Sequence, residues 1–326
     1  MTTDHIFLTG GTGFFGKALL RHWADLERKG QDIATVTLLS RDPDRFAAQY
    51  PDLIAHHWLH LVRGDVCYPD SLPRGQSFTH VLHAATESTN GPQLTPLQRF
   101  DQIVNGTRNI LDLALDSGAS RFLLTSSGGV YGPQPPDMER IPEEYAGMPD
   151  PLNPNNAYSV AKRCAEHLCA LYQERHGLET VVARCFAFVG QDLPLDAHFA
   201  IGNFIRDALN GSEIVVGGDG TPVRSYMDQR DLARWLITLL AKGKQGEAYN
   251  VGSDVAITIA ALAQKVRELI SPEKAVQILG AATSLNFRNR YVPMIAKAKN
   301  EIGLELNYSL EETLRDAINW RFKVNF

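Results

Sequence analysis

The sequence predicts an α/β fold: a doubly wound parallel sheet with a smaller C-terminal α/β lobe. Three observations predict it. Strand-like and helix-like segments alternate through the first half, the pattern of βαβ units. A glycine trio follows the first strand and opens a helix. The 326 residues are enough for one large domain and a second lobe.

The elements follow in order. His5 to Leu8 reads as a short buried strand. Gly10, Gly13 and Gly16 come next at the spacing of a dinucleotide-binding turn. Such a turn needs one glycine for the bend, one for close approach to a pyrophosphate and one for helix–strand packing. Phe14 and Phe15 begin the helix, whose N-terminus offers free N–H groups and a favourable dipole to phosphates. The second strand spans Ala34 to Leu39 and ends in Ser40-Arg41-Asp42. Ser40 stands where an acidic residue would bind the 2′-hydroxyl of NAD. Arg41 beside it suits a 2′-phosphate and favours NADP. Asp42 keeps NAD open.

Further strands centre on Leu61, Val81, Leu123 and Val182, with amphipathic helices at Leu97–Leu115 and Asn156–Arg175. The polar, Pro-rich stretch Pro133–Pro154 reads as a long loop bordering a site. The rhythm changes after Val189. Ile214–Val216 is a strand before the tight turn Gly217–Gly220, and helices follow near Asp231–Lys242, Ile259–Ile270 and Leu310–Phe322. The boundaries expected are a dinucleotide-binding domain over 1–186 and a mainly substrate-binding lobe over 187–326, with some segments returning to the first domain. The lobe is expected to cap the carboxyl ends of the strands.

Composition excludes several classes. A net charge of −5 argues against broad nucleic-acid binding. No apolar run reaches the ~18 residues of a membrane span. The chain enters a strand at once, without a signal-peptide pattern. The four cysteines (Cys67, Cys164, Cys169, Cys185) are scattered and fit a reduced, cytoplasmic protein. His56, His57 and His60 lack Cys or acidic partners at ligand spacing, so they read as a surface helix or loop, and no metal site is expected.

Two segments carry the chemistry. Tyr158 and Lys162, in Y-S-V-A-K, are four apart on one helix face, so both act on one target. A nearby cation favours the phenolate and prepares a tyrosine for proton exchange. Upstream, the strand of F-L-L-T-S-S-G-G-V-Y-G ends in Thr125-Ser126-Ser127, at the sheet edge where ligands bind.

With these motifs the chain resembles an extended short-chain dehydrogenase/reductase of the nucleotide-sugar epimerase and dehydratase family. The likeness rests on T-G-G-T-G-F-F-G, Gly64-Asp65-Val66, His83-Ala84-Ala85, Asn105, S-S-G-G-V-Y-G, Y-S-V-A-K, Arg184 to Gly190, Gly217 to Tyr226 and Arg290 to Pro293. It implies hydride transfer with NADP or NAD, Tyr158 as acid/base, Ser127 as its hydroxyl partner, and Lys162 on the nicotinamide ribose, lowering the tyrosine pKa. It also implies cofactor contacts at Asp65, Val66, Ala84, Ala85, Thr86, Asn105, Phe186 and Val189. Substrate contacts are implied at Glu87, Ser127, Asn203, Arg224 and Arg290. Arg224 would pair with a sugar-nucleotide diphosphate or, alternatively, serve in a structural salt bridge. A homodimer through a four-helix bundle, built from Leu97–Leu115 and Tyr158–Leu171, is implied as well.

The pattern departs from the family at two places. Dehydratases place an acid and a glutamate after the catalytic Thr, and decarboxylases keep the glutamate; here Gly128 and Gly129 stand there. Glycine is neither acid nor base. Ala85-Thr86-Glu87-Ser88 pulls the other way, resembling the A-A-E-S of dehydratases. Ala187 replaces an asparagine that holds substrate phosphates. The expected function is oxidation and reduction at a sugar carbon, C4 by resemblance, as epimerase or 4-ketoreductase. An atypical 4,6-dehydratase or decarboxylase and a non-catalytic NADP-binding sensor are the alternatives.

Overall fold

The computed structural model describes residues 4–86, 94–197, 199–280 and 289–324. The chain divides into two compact units. The first holds 1–130, 149–185 and 233–249; the second holds 131–148, 186–232 and 250–326.

In the first unit the elements are β1 (His5–Thr9), α1 (Phe14–Arg28), β2 (Thr35–Ser40), α2 (Pro43–Gln49), α3 (Pro51–Ile54), β3 (Leu59–Arg63), β4 (His80–His83), α4 (Pro96–Asp116), β5 (Arg121–Ser127), α5 (Ala157–His176) and β6 (Glu179–Cys185). The sheet order is β3-β2-β1-β4-β5-β6, and Ala248–Val251 adds a seventh strand beside β6. The pairs from β3 to β6 are parallel. Strand order reverses between β1 and β4, and a doubly wound sheet binds ligands beyond the strand ends at such a point.

Strands buried on both faces read as continuous apolar runs. Ile6 to Leu8 and Phe122 to Leu124 do so, with Phe7, Val81 and Phe122 almost wholly buried in one cluster with Ile110 and Leu111 of α4 and Ala165 of α5. A fully buried leucine or phenylalanine contributes about 1.5–3 kcal/mol. Truncating Phe122 to Ala is therefore the kind of change that opens the layer between sheet and helices.

Local signals fix where the helices start and stop. Thr95 and Gln98 form a reciprocal capping box, and Pro96 takes the first helical position of α4. α5 ends at Gly177, in the left-handed region at φ 73°.

The second unit is built from very short strands. Phe188–Val189 pairs with Met227–Asp228. Val223–Arg224 lies between Ile257–Thr258 and Arg290–Tyr291. Ile214–Val216 pairs with Val276–Ile278. The helices Ala200–Asn210 and Ile259–Ile270 bury Ile201, Phe204, Leu262 and Val266. The histidine stretch differs from expectation: His60 lies in β3, and His56 is a 2.6 Å partner of Glu27. No helix among the described residues is long and apolar enough to cross a membrane, and none of their side chains cluster as a metal site.

Candidate active site

The glycine turn has the shape a dinucleotide needs. Gly10 is left-handed at φ 72°, and a Cβ there would sit 2.4 Å from the Ala84 carbonyl oxygen. A Cβ on Gly16 would lie 2.1 Å from Gly11 backbone atoms, so helix and turn touch only because position 16 is glycine. Gly13, the N-cap of α1, supplies no side-chain cap and is exposed. No side chain caps that helix end, the arrangement in which a helix N-terminus can receive the pyrophosphate of a dinucleotide. Phe14 and Phe15 are half-buried beside it, ring centroids 6.1 Å apart.

At the end of β2, Ser40 is buried and its hydroxyl accepts from the Asp42 N–H. Asp42 caps α2, its Oδ1 accepting from the Arg45 N–H at 3.3 Å. Arg41 is exposed, and its carbonyl accepts from Arg63 Nη1 at 2.9 Å. Its positive charge acts on the Cys67 thiol, which burial pushes up to about 11. Asp65 accepts from the Cys67 N–H. Val66 is buried, and its carbonyl accepts from Asn109. Asn105, one turn earlier, is exposed.

Between the turn and β5 runs a hydrogen-bonded series. Thr9 Oγ1 pairs with His83 Nδ1 at 2.7 Å and accepts from the Ala85 N–H at 3.2 Å. Thr107 Oγ1 lies 3.3 Å from His83 Nε2. Thr125 donates to the His83 carbonyl. Lys162 donates to the Thr125 carbonyl and to Thr86 Oγ1, both at 2.8 Å. Burial makes the charged imidazole of His83 costly, and the Lys162 ammonium adds to this, so its pKa falls to about 3.

β5 delivers Ser127 to the sheet edge, and α5 begins with Tyr158 and Lys162 in its first turns. Ser127 Oγ accepts from the Gly129 N–H at 3.1 Å, and its hydroxyl acts on the Tyr158 phenol, favouring the phenolate. Lys162 Nζ lies 5.9 Å from the Tyr158 ring centroid. The three residues thus meet, but the expected lowering of the phenol does not prevail. Part of Tyr158 stays exposed, yet loss of water pushes its phenol up to about 12. The Ser127 bond opposes this, and the opposing cation is Arg99 of α4. Lys162 is itself pushed down to about 8, chiefly by burial. Its head is turned to Thr86 and Thr125, so four-residue spacing brings the pair together without aiming the ammonium at the phenol oxygen.

The positions beyond Ser127 hold no acid. A Cβ on Gly129 would meet Ser159 Oγ at 2.6 Å and Ser127 Oγ at 3.3 Å. Position 129 therefore cannot carry a longer side chain unless the two serines give way. Behind the site, Ser126 donates to Glu166 at 2.5 Å, and Arg184 pairs with the same carboxylate at 2.9 Å. No sequence motif singles out Arg99, Asn109 or Glu166, and the motifs that contain Ser159 and Arg184 give those two residues no role. Only a helix pairing of α4 with α5 could have pointed to Arg99.

The remaining expected residues belong to the second unit, except Glu87, which lies outside the described residues. Arg224 Nη1 donates to the carbonyls of Val223 and Asn289, a structural use of part of its fork. Asn203 accepts from Arg206 at 3.4 Å. Arg290 Nη1 reaches the Glu139 carbonyl at 3.4 Å. Phe186 stacks at 4.6 Å on Tyr291, and Val189 is fully buried.

Comparison with known proteins gives a consistent picture. The sequence pattern of the NAD dependent epimerase/dehydratase family matches residues 6–252. UDP-glucuronic acid decarboxylase 6 of Arabidopsis thaliana is 32% identical over 309 residues, covering 95% of this chain and 86% of that protein. Among solved structures, UDP-glucose 4-epimerase with UDP-glucose from Thermotoga maritima has a TM-score of 0.79 at 21% identity, covering 99% of this chain and 100% of the other. RMD from Pseudomonas aeruginosa complexed with NADPH has a TM-score of 0.78 at 25% identity, covering 98% of this chain and 100% of the other.

Proposed function

As the chain belongs to the NAD-dependent epimerase/dehydratase family, we propose that it oxidises and reduces a hydroxyl-bearing carbon, C4, of a nucleotide-diphosphate sugar, as an epimerase or 4-ketoreductase. The observation that carries this reading is the meeting of Ser127, Tyr158 and Lys162 at the end of β5 with only Gly128 and Gly129 beyond it. Elimination of water needs a proton donor at that place, and glycine offers none.

A nicotinamide cofactor held at the Gly10–Gly16 turn supplies the two-electron chemistry. Tyr158 moves the proton. Its oxygen receives the proton of the sugar hydroxyl on oxidation and returns one to the ketone oxygen on reduction. A phenol near 12 is protonated at neutral pH, the form that donates to a ketone; to receive the hydroxyl proton on oxidation it must first release its own. Ser127 holds the phenol through its hydroxyl and orients the reacting oxygen. Lys162 ties Thr86 to Thr125, fixing the β4 edge against β5 beneath the cofactor. Arg41, exposed at the end of β2, favours NADP, since its guanidinium suits a 2′-phosphate. Asn203, Arg224 and Arg290 are proposed to hold the nucleotide-diphosphate part, Glu87 the sugar, and the protein is proposed to work as a homodimer through α4 and α5.

A second reading is favoured by one finding, the 32% identity to a UDP-glucuronic acid decarboxylase across 95% of the chain. Oxidation next to a carboxylate-bearing carbon makes a β-keto acid, which loses CO2 without a strong acid. The deciding experiment denatures the purified protein, identifies released NAD(P) and its redox state, and then assays a nucleotide-sugar panel. Retained cofactor with stereochemical inversion marks an epimerase. NADPH consumed on a 4-keto sugar marks a reductase, and CO2 release marks the second reading. Dehydration at C5–C6 as the main outcome refutes the proposal.

A further inference from the structure

We propose that Arg99 is a further substrate-binding residue, its guanidinium the counter-ion of a carboxylate on the sugar next to the carbon served by Tyr158. This role rests on the oxidation–reduction reading above and adds a substrate class to it, a nucleotide-linked uronic acid.

The placement of Arg99 is electrostatically costly as it stands. It lies in the first turn of α4, where its N–H bonds the Thr95 carbonyl at 2.9 Å. The positive end of the helix dipole disfavours a cation there. The side chain is half-buried, its Nε is enclosed, and that Nε has no hydrogen-bond partner. Among the described residues Arg99 makes no ion pair. A buried donor without a partner costs about 1–3 kcal/mol. Arginine cannot relieve this by losing its proton. Lysine at 162 solves the same problem with two oxygen acceptors, and Arg184 with Glu166. Among the described residues Arg99 has no such solution.

The site faces the chemistry. α4 and α5 pack along their lengths, and Phe100, Val104 and Tyr158 lie against one apolar cluster. The Arg99 charge acts on the Tyr158 phenol, whereas Lys162 is turned to Thr86 and Thr125. An anion that pairs with Arg99 is therefore within electrostatic reach of the oxygen that exchanges protons with the sugar. The substrate diphosphate is joined to C1, across the ring from C4, and does not reach this place when C4 is at the phenol. A carboxylate at C6 is borne by C5, the neighbour of C4. Its two oxygens also match a guanidinium fork.

The test measures dissociation constants for UDP-glucuronic acid and UDP-glucose by calorimetry, on full-length wild type, Arg99→Met and Arg99→Lys. Wild type is expected to bind UDP-glucuronic acid about 10- to 100-fold more tightly, the range for a hydrogen bond to a charged group. Arg99→Met should erase that preference and leave UDP-glucose within about twofold, while Arg99→Lys recovers part of it. Arg99→Met should also melt no lower than wild type, because it removes an unpaired buried donor. Equal affinity of wild type for the two sugars, or equal loss of both in Arg99→Met, overturns the inference. If the carboxylate preference holds but no sugar nucleotide changes the redox state of the cofactor, the oxidation–reduction reading fails while the carboxylate site stands.

Discussion

His83 joins the cofactor turn to the catalytic strand, and its protonation has a calculable effect on stability. In the folded protein the imidazole titrates near 3, against 6.5 when unfolded. Between those values the unfolded chain binds the extra proton and the folded chain does not. Stability is therefore fully present above about pH 6.5 and is lost as pH falls toward 3. From pH 7 to pH 4.5 the loss from this one group is about 2.5 kcal/mol, at about 1.4 kcal/mol per pH unit below the unfolded value. Any folded value below about 4 gives the same figure. The perturbation is His83→Gln, which keeps one amide for Thr107 but cannot titrate. The variant is expected to be less stable at pH 7, since it loses the Thr9 contact. Its deficit should then shrink by about 2.5 kcal/mol at pH 4.5, because only wild type carries the histidine penalty. Urea unfolding followed by tryptophan fluorescence reads this well. Trp23, Trp58 and Trp235 all lie in the unit that contains His83. A deficit that is the same at both pH values would refute the neutral, buried imidazole.

Three further outcomes are expected. Gly16→Ala should cost about 1–3 kcal/mol or more, since its Cβ would start 2.1 Å from Gly11 backbone that cannot swing aside; thermal melts indistinguishable from wild type would contradict the packing. Arg41→Ala should weaken NADP by about tenfold and leave NAD nearly unchanged, as expected for one charged contact to a phosphate; equal losses in a fluorescence titration would remove its 2′-phosphate role. Glu166→Gln should destabilise by about 3–5 kcal/mol by leaving the Arg184 charge uncompensated, and a change below about 1 kcal/mol in urea midpoints would show that the pair is dispensable.

The parts of the molecule legible in the sequence are those whose physics is local. Gly10 and Gly16 are read directly, because a left-handed turn and a close approach of helix to turn leave no other residue type. The buried parallel strands announce themselves as apolar runs, as at Phe122–Leu124. The two-residue strands at Phe188, Val223 and Arg290 are too short to carry a periodicity, so nothing in the sequence marks them. Side-chain aim is the other blind spot. Helical spacing puts Tyr158 and Lys162 on one face, yet Thr86 and the Thr125 carbonyl, both distant in sequence, decide where the ammonium points. The roles of Arg99, Ser159 and His83 likewise depend on packing between elements far apart in the chain. Asp42 shows a further case: a residue read as a ribose contact also caps its own helix end, which only the fold reveals.

Catalysis as proposed turns on the Tyr158 oxygen, which exchanges the proton while a sugar carbon is oxidised or reduced. The most direct test is the turnover number of Tyr158→Phe at saturating sugar nucleotide, with cofactor binding measured on the same sample. A fall of at least about 10²-fold is expected, the usual worth of a positioned acid/base, with cofactor affinity retained. Turnover close to wild type in a variant that still binds cofactor would contradict this role.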